Sequence, residues 1–216
     1  QHRRKKRESL DCALALRELS DMGVANIITF DAHDPRVQNS IPLNGFDNFF
    51  PTYQFLKALI KNVDNFQVDN DHLMIISPDE GAMSRAVYFS NILGVDMGMF
   101  YKRRDYTRVV NGRNPIVAHE FLGSSVEGKD VIILDDMISS GDSILDVAKQ
   151  LKSRNAKRIF AAATFGLFTN GLDKFDEAYE SGLIDGVLTT NLIYQTPELL
   201  SRPYYINCDM SKYVAL

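Results

Sequence analysis

The densest chemistry in the chain lies in the run Val131-Ile-Ile-Leu-Asp135-Asp136-Met-Ile-Ser139-Ser140-Gly141-Asp142-Ser143. Four apolar residues read as a buried strand that delivers two adjacent carboxylates. Ser139, Ser140 and Gly141 are small enough to let backbone N–H groups approach an anion. The helix expected next contributes partial positive charge at its N-terminus. Ser143 supplies a hydroxyl and can cap that helix. Together these residues form a phosphate cradle with acidic groups beside it, suited to a phosphorylated sugar whose hydroxyls meet the carboxylates. The plainer reading stands next to it: two aspartates that end a strand and an ordinary N-cap serine.

Three further strand ends carry polar clusters: Asp31 with His33, Asp79 with Glu80, and Lys102-Arg103-Arg104. Carboxylates suit a metal ion and cations suit phosphates, so four charged strand ends point to one shared charged site. Each cluster also has a plainer reading. Asp79 and Glu80 could be helix N-terminal charges favoured by the macrodipole, the basic triplet a solvated turn, and His33 a loop hydrogen-bonder.

The elements that must position these groups alternate along the chain. Helices are predicted over residues 9–22, 51–63, 82–93, 143–153 and 172–181, and strands over 27–30, 73–76, 95–101, 131–134, 159–164, 186–190 and 204–207. Leu10, Ala13, Leu14 and Met22 are inward candidates on the first helix, and Ile144, Leu145, Ala148 and Leu151 form one face of the fourth. Residues 105–127, rich in Asn, Gly, Ser and charge, predict a long loop or a hairpin. Strands separated by single helices imply right-handed βαβ units. The fold class is therefore α/β, a parallel sheet with helices on both faces. In such sheets ligands bind beyond the carboxyl ends of the strands, where the four clusters fall. The cluster Phe46/Phe49/Phe50 reads as core or subunit interface rather than a base-stacking platform.

Composition narrows the function classes. The chain has 216 residues, 45% hydrophobic and 24% charged, which excludes wholesale disorder and a disulfide scaffold. The net charge of −4 argues against a nucleic-acid-coating surface, although residues 1–8 hold five Lys/Arg against one Glu, a basic tip on an acidic body. No apolar run reaches about 18 residues, so no membrane span or membrane partner is expected. The stretch after the basic tip is amphipathic and charged, so no secretory signal is expected. Cys12 and Cys208 read as two reduced thiols, and the expected location is the cytoplasm.

Taken in series, these segments resemble the ribose-phosphate diphosphokinase family, whose fold is that of the type I phosphoribosyltransferases. The run from Asp135 to Ser143 is similar to the family's phosphoribosyl loop. Thr29-Phe-Asp31-Ala-His33 resembles its Asp-Leu-His stretch, and Ser77-Pro-Asp79-Glu-Gly81 its Ser-Pro-Asp-x-Gly segment. Lys102-Arg103-Arg104 resembles the start of its flexible catalytic loop, and Gln1-His2-Arg3-Arg4 its ATP-binding basic segment. The resemblance covers almost the whole chain in the right order. It implies transfer of a diphosphoryl group from ATP to the 1-hydroxyl of ribose 5-phosphate, with AMP leaving, and Mg2+ as cofactor. It implies that Lys102 and Arg104 offset charge on the transferring group, that Gln1, Arg3 and His33 contact ATP, and that His33 and Asp79 serve the metal. It places Asp135, Asp136, Ser139, Ser140, Gly141 and Ser143 around ribose 5-phosphate, and implies a homo-oligomer. Residues 1–60 would be the rear of an incomplete N-terminal phosphoribosyltransferase-like domain and residues 61–216 a complete C-terminal one.

The sequence departs from the family loop, Asp-Asp-x-x-Asp-Thr-x-Gly-Thr. Ser139 stands for the third Asp, Ser140 for Thr, Asp142 for Gly and Ser143 for the last Thr. Both Ser-for-Thr changes keep a hydroxyl. The loss at 139 removes a possible metal or ribose contact. Asp142 brings negative charge to where a 5-phosphate would lie, which weakens binding unless the side chain turns away. These departures keep two alternatives open, a non-catalytic regulatory paralogue and a phosphoribosyltransferase.

Overall fold

The computed structural model describes the backbone of residues 8–104 and 116–215; of these, the side chains of 102–104 and 116–119 lie outside the description. The chain divides into two compact units, Gln1–Pro51 and Thr52–Leu216.

In the smaller unit, helix α1 (Asp11–Asp21) is followed by strand β1 (Asn26–Phe30), a 3-10 turn over Pro35–Ser40, and strand β2 (Gly45–Phe49). β1 and β2 pair in parallel, from Asn26 with Gly45 to Phe30 with Phe49. The Asp34 carboxylate accepts the Arg36 N–H at 3.1 Å and starts the turn, while the Arg36 guanidinium closes on it at 2.8 Å. Leu16, Val37 and Ile41 form the core, with Cys12, Ile27 and Phe46 against it. The prediction of Leu14 and Met22 as inward residues is corrected here, because both are exposed and Leu16 is the buried position of α1. The Phe46/Phe49/Phe50 cluster contributes two of its rings to β2, a strand that the sequence reading lacked.

In the larger unit the order is α2 (Thr52–Asn62), β3 (Leu73–Ser77), α3 (Met83–Leu93), β4 (Met97–Arg104), β5 (Ile116–Leu122), β6 (Asp130–Ile138), α4 (Asp142–Lys152), β7 (Arg158–Gly166), α5 (Asp173–Glu180), β8 (Gly186–Thr190), α6 (Pro197–Leu200), β9 (Tyr205–Cys208) and α7 (Ser211–Ala215). These strands form one sheet in the order β5-β4-β3-β6-β7-β8-β9. Only the β4–β5 pair is antiparallel. Part of the stretch read as a loop or hairpin is thus the second arm of a hairpin.

The period of two along each strand sorts the core into two layers. Met74, Ile76, Val131 and Ile133 face Ile144, Leu145, Val147, Ala148 and Leu151 of α4, together with Phe175 of α5. Leu73, Ile75, Ile132 and Leu134 face Phe55 and Leu59 of α2 and Ala86 and Phe89 of α3. A strand covered on both faces needs no polar alternation, which is why β3 and the first half of β6 are continuous apolar runs.

The amino ends of β6 and β7 are tied by Asp130 and Arg158. Asp130 is 2% exposed. Its carboxylate accepts from Arg158 Nε at 2.9 Å and Nη2 at 2.5 Å, and Arg158 Nη1 also reaches the Asp64 carbonyl at 2.8 Å. A buried ion pair needs such added hydrogen bonds to offset its desolvation. It pins the sheet edge opposite the polar clusters and leaves the carboxyl ends open for chemistry. Among the described residues, no helix is long and apolar enough to cross a membrane.

Candidate functional site

The strand order fixes where the larger unit can hold a ligand. From β3 the chain moves outward to β4 and β5, then returns to the other side of β3 as β6. The loops after β3 and β6 therefore leave neighbouring parallel strands toward helices on opposite faces, and a crevice opens between them at the carboxyl edge. Ile76 of β3 is registered with both Ile133 of β6 and Gly98 of β4. Asp79, Asp135 and Lys102 all lie a few residues beyond that level, on the same edge.

β6 is longer than its apolar run. Pairing with β7 continues through Asp135 with Ala163, Met137 with Phe165 and Ile138 with Gly166. The sequence reading ended this strand at Leu134. Asp135 and Asp136 instead lie within a strand whose pairing continues past them, which fixes their backbones. Asp136 is 8% exposed. The Asp135 carboxylate accepts the Asp136 N–H at 2.9 Å. Burial, with the neighbouring Asp136 carboxyl, pushes Asp135 up to about 7. The nearby Arg85 opposes the rise only weakly, from 3.8 Å. Asp135 thus meets less positive charge than its carboxylate calls for, an environment that favours a cation or a proton.

Arg85 is a site residue that the motifs do not mark. It is 7% exposed on α3, in the same stripe as buried Ala86, Phe89 and Ser90. A charged residue four positions before Phe89 on an apolar stripe is the signal that finds it.

The loop after β3 is organised by Asp79. Its carboxylate accepts the Gly81 N–H at 2.9 Å and the Ala82 N–H at 3.4 Å, and the Ser77 hydroxyl donates to the Asp79 carbonyl at 2.7 Å. The side chain therefore shapes the loop that leads into α3, through one of its two carboxylate oxygens.

The loop after β6 is the tightest feature of the site. Gly141 adopts φ +81°, a left-handed conformation that side-chain-bearing residues rarely take. A Cβ there would also run into the ring of Phe175, 2.5 Å from its Cε2. Gly141 is the N-cap of α4, and no side chain caps the helix. The capping role assigned to Ser143 is corrected: Ser143 lies one residue inside the helix, and the cap position needs a left-handed backbone instead. The first N–H groups of α4 have no partner within the helix and face the loop.

The loop after β7 braces this turn. Thr169 donates its N–H to the Ser139 carbonyl at 3.0 Å, and the two hydroxyls lie 3.2 Å apart. Leu167 donates its N–H to the Ile138 carbonyl at 2.8 Å. Asp142 is turned to α5, with Oδ1 2.5 Å from Lys174 Nζ and Oδ2 accepting the Ser140 hydroxyl at 3.0 Å. These two donors hold its carboxyl below the usual range.

Ser139, Ser140, Gly141 and Ser143 are therefore brought together in one turn beside Asp135 and Asp136. Lys102 and Arg104 lie on the carboxyl half of β4, paired in backbone register with His119 and Ile116 across a bulge. His33 is exposed, at the end of β1 in the smaller unit. Gln1 and Arg3 lie outside the described residues. Among the described residues, no three His, Cys, Asp or Glu side chains are grouped closely enough to hold a metal ion by themselves.

The chain is similar in sequence and fold to known proteins. The phosphoribosyl transferase domain family matches residues 52–192. The ribose-phosphate pyrophosphokinase of Ureaplasma parvum is 29% identical over 194 residues, covering 89% of this chain and 55% of that protein. The enzyme of the same name from Vibrio parahaemolyticus is 31% identical over 201 residues, covering 91% of this chain and 58% of that protein. The chain thus spans somewhat more than half the length of the curated relatives it matches. The crystal structure of phosphoribosylpyrophosphate synthetase from Mycobacterium smegmatis superposes with a TM-score of 0.76 at 22% identity, over 99% of this chain and 64% of that one.

Proposed function

The chain belongs to the phosphoribosyl transferase domain family, and from that premise we propose that it carries the ribose-phosphate half of a ribose-phosphate diphosphokinase. The reaction is transfer of a diphosphoryl group from ATP to the 1-hydroxyl of ribose 5-phosphate, giving phosphoribosyl diphosphate and AMP. One observation carries this reading: half-buried Asp135 and buried Asp136 stand beside a turn that only glycine fits, at the switch point between β3 and β6. The turn is built for an anion, and the carboxylates for the hydroxyls of the sugar attached to it.

In this reading Ser139, Ser140, Gly141 and Ser143 receive the 5-phosphate through hydroxyls and the first N–H groups of α4. Asp135 and Asp136 orient the ribose hydroxyls. Asp79 serves the ATP side of the larger unit. Lys102 and Arg104 offset charge on the transferring group, since phosphoryl transfer depends mainly on positioning and charge neutralisation. The donor set fits Mg2+. This cation takes one or two carboxylates plus substrate phosphates and water rather than an all-protein cage, and two adjacent carboxylates without a third are what the described residues offer. When bound, the ion would draw negative charge from the phosphate oxygens. The protein is read as a cytoplasmic homo-oligomer.

The test is AMP formation from ATP and ribose 5-phosphate with Mg2+, followed by phosphorus NMR. Turnover that disappears with Asp135→Asn supports the enzyme. ATP or ribose 5-phosphate binding without any AMP would favour the second reading, a regulatory paralogue. That reading draws on Ser139, which stands where the family has a carboxylate and lies with its hydroxyl against Thr169.

A further inference from the structure

We propose that Lys174 is the counter-ion that lets this loop carry an aspartate and still receive a phosphate, by holding the Asp142 carboxylate in a pair directed away from the anion. The inference rests on reading the loop as the 5-phosphate site. Asp142 is the first residue of α4 and follows the glycine that closes the turn. A carboxylate there suits the helix dipole but opposes a second anion at the same N–H groups. The pair resolves the conflict, because one oxygen takes the Lys174 ammonium and the other the Ser140 hydroxyl.

The location of Lys174 supports the assignment. It sits in the first turn of α5, where a cation is disfavoured by the dipole of its own helix. Nothing in the local stability of α5 calls for it, whereas the contact across to α4 does. The side chains of Lys174 and Asp142 are 50% and 56% exposed, so the pair lies in water and can rearrange as an anion enters. Lys149, Asp146 and Glu177 line the same groove of about 310 Å3 between α4 and α5. Of the two cations there, Lys174 is the one bonded to Asp142, while Lys149 pairs with Asp146 at 3.7 Å. When phosphate enters, it takes over the Ser140 hydroxyl, and Asp142 keeps Lys174.

The experiment measures ribose 5-phosphate binding by calorimetry at low ionic strength, with the full chain and its Lys174→Gln, Lys174→Arg, Asp142→Asn and Lys174→Gln/Asp142→Asn variants. One uncompensated carboxylate at roughly 6 Å from a phosphate dianion, in a water-like dielectric, corresponds to about a tenfold loss of affinity. Lys174→Gln is expected to show that loss and to lose less as salt is added. Lys174→Arg is expected to bind as the parent does. In the Asp142→Asn background Lys174→Gln is expected to change nothing. A single Lys174→Gln variant that binds normally overturns the proposal. So does an equal loss in both backgrounds, which would make Lys174 a direct phosphate contact. If the parent chain binds neither ribose 5-phosphate nor inorganic phosphate, the 5-phosphate reading of the loop fails and this inference falls with it.

Discussion

Replacing Gly141 with alanine tests the central claim that the shape of the loop is set by backbone and packing together. Two costs add. Holding alanine at φ +81° costs about 1–2 kcal/mol, because its Cβ crowds the following carbonyl. The new methyl also meets the Phe175 ring, which is fully buried and packed edge-on against Phe168, with centroids 5.4 Å apart. A ring so enclosed cannot swing aside, and overpacking of this kind costs about 1–3 kcal/mol. The sum is about 2–5 kcal/mol. The chain has no tryptophan, so urea unfolding followed by far-UV circular dichroism is the assay, with the slope checked for constancy. Phe175→Leu separates the two costs. In that background Gly141→Ala should keep only the backbone share, giving a coupling energy on the order of 1–3 kcal/mol in the double-mutant cycle. A destabilisation of Gly141→Ala below about 0.5 kcal/mol, or the same cost with leucine at 175, would refute the account. Ribose 5-phosphate affinity should fall in Gly141→Ala and stay low in the double variant, since removing the ring does not restore the turn.

Other outcomes follow from the buried charges. Asp135 is raised in the folded chain from 3.8 to about 7, so the folded state keeps a proton that the unfolded state releases. Stability should therefore fall as pH rises from about 4 to about 7 and level off above. Asp135→Asn should flatten that fall and stabilise the protein at pH 8 by about 1–3 kcal/mol while abolishing AMP formation, as read from urea midpoints across pH; an unchanged pH profile would contradict the burial argument. Arg158→Met leaves the Asp130 carboxylate buried without its guanidinium and should cost about 3 kcal/mol, measurable as a lower urea midpoint. Tyr204→Phe removes the hydroxyl that donates to Asp176 at 2.6 Å and should cost about 1 kcal/mol in the same assay.

How much could be read beforehand depended on whether a signal was local. The strands β3 and β6 were legible because burial on both faces makes continuous apolar runs. The inward face of α4 was legible from Ile144, Leu145, Ala148 and Leu151, all of them buried. β2 was missed, because Gly45–Phe49 mixes phenylalanines with Asp47 and Asn48 and has no clean alternation. On α1 the apolar residues outnumber the inward positions, so composition could not tell Leu16 from Leu14. The extension of β6 was hidden by Asp135 itself, since carboxylates read as a strand end when backbone pairing is what continues. At the site, Asp135, Asp136 and the small-residue turn stood out by type and spacing. Lys174 did not, because its partner lies 32 residues away and nothing near it in sequence marks the contact.

The strand order has a consequence for how the chain is made. Of the larger sheet, β3, β4 and β5 are synthesised first, and β4 and β5 can close at once as a hairpin. β3 gains β4 as one neighbour, but its other edge waits for β6, which begins only at Asp130. Until then four consecutive apolar residues, Leu73–Ile76, present an unsatisfied backbone edge, a template for pairing with another nascent copy. The same crossing that opens the ligand crevice therefore creates the interval in which the chain is most exposed to misassembly, and arrival of the Asp135–Asp136 strand ends it.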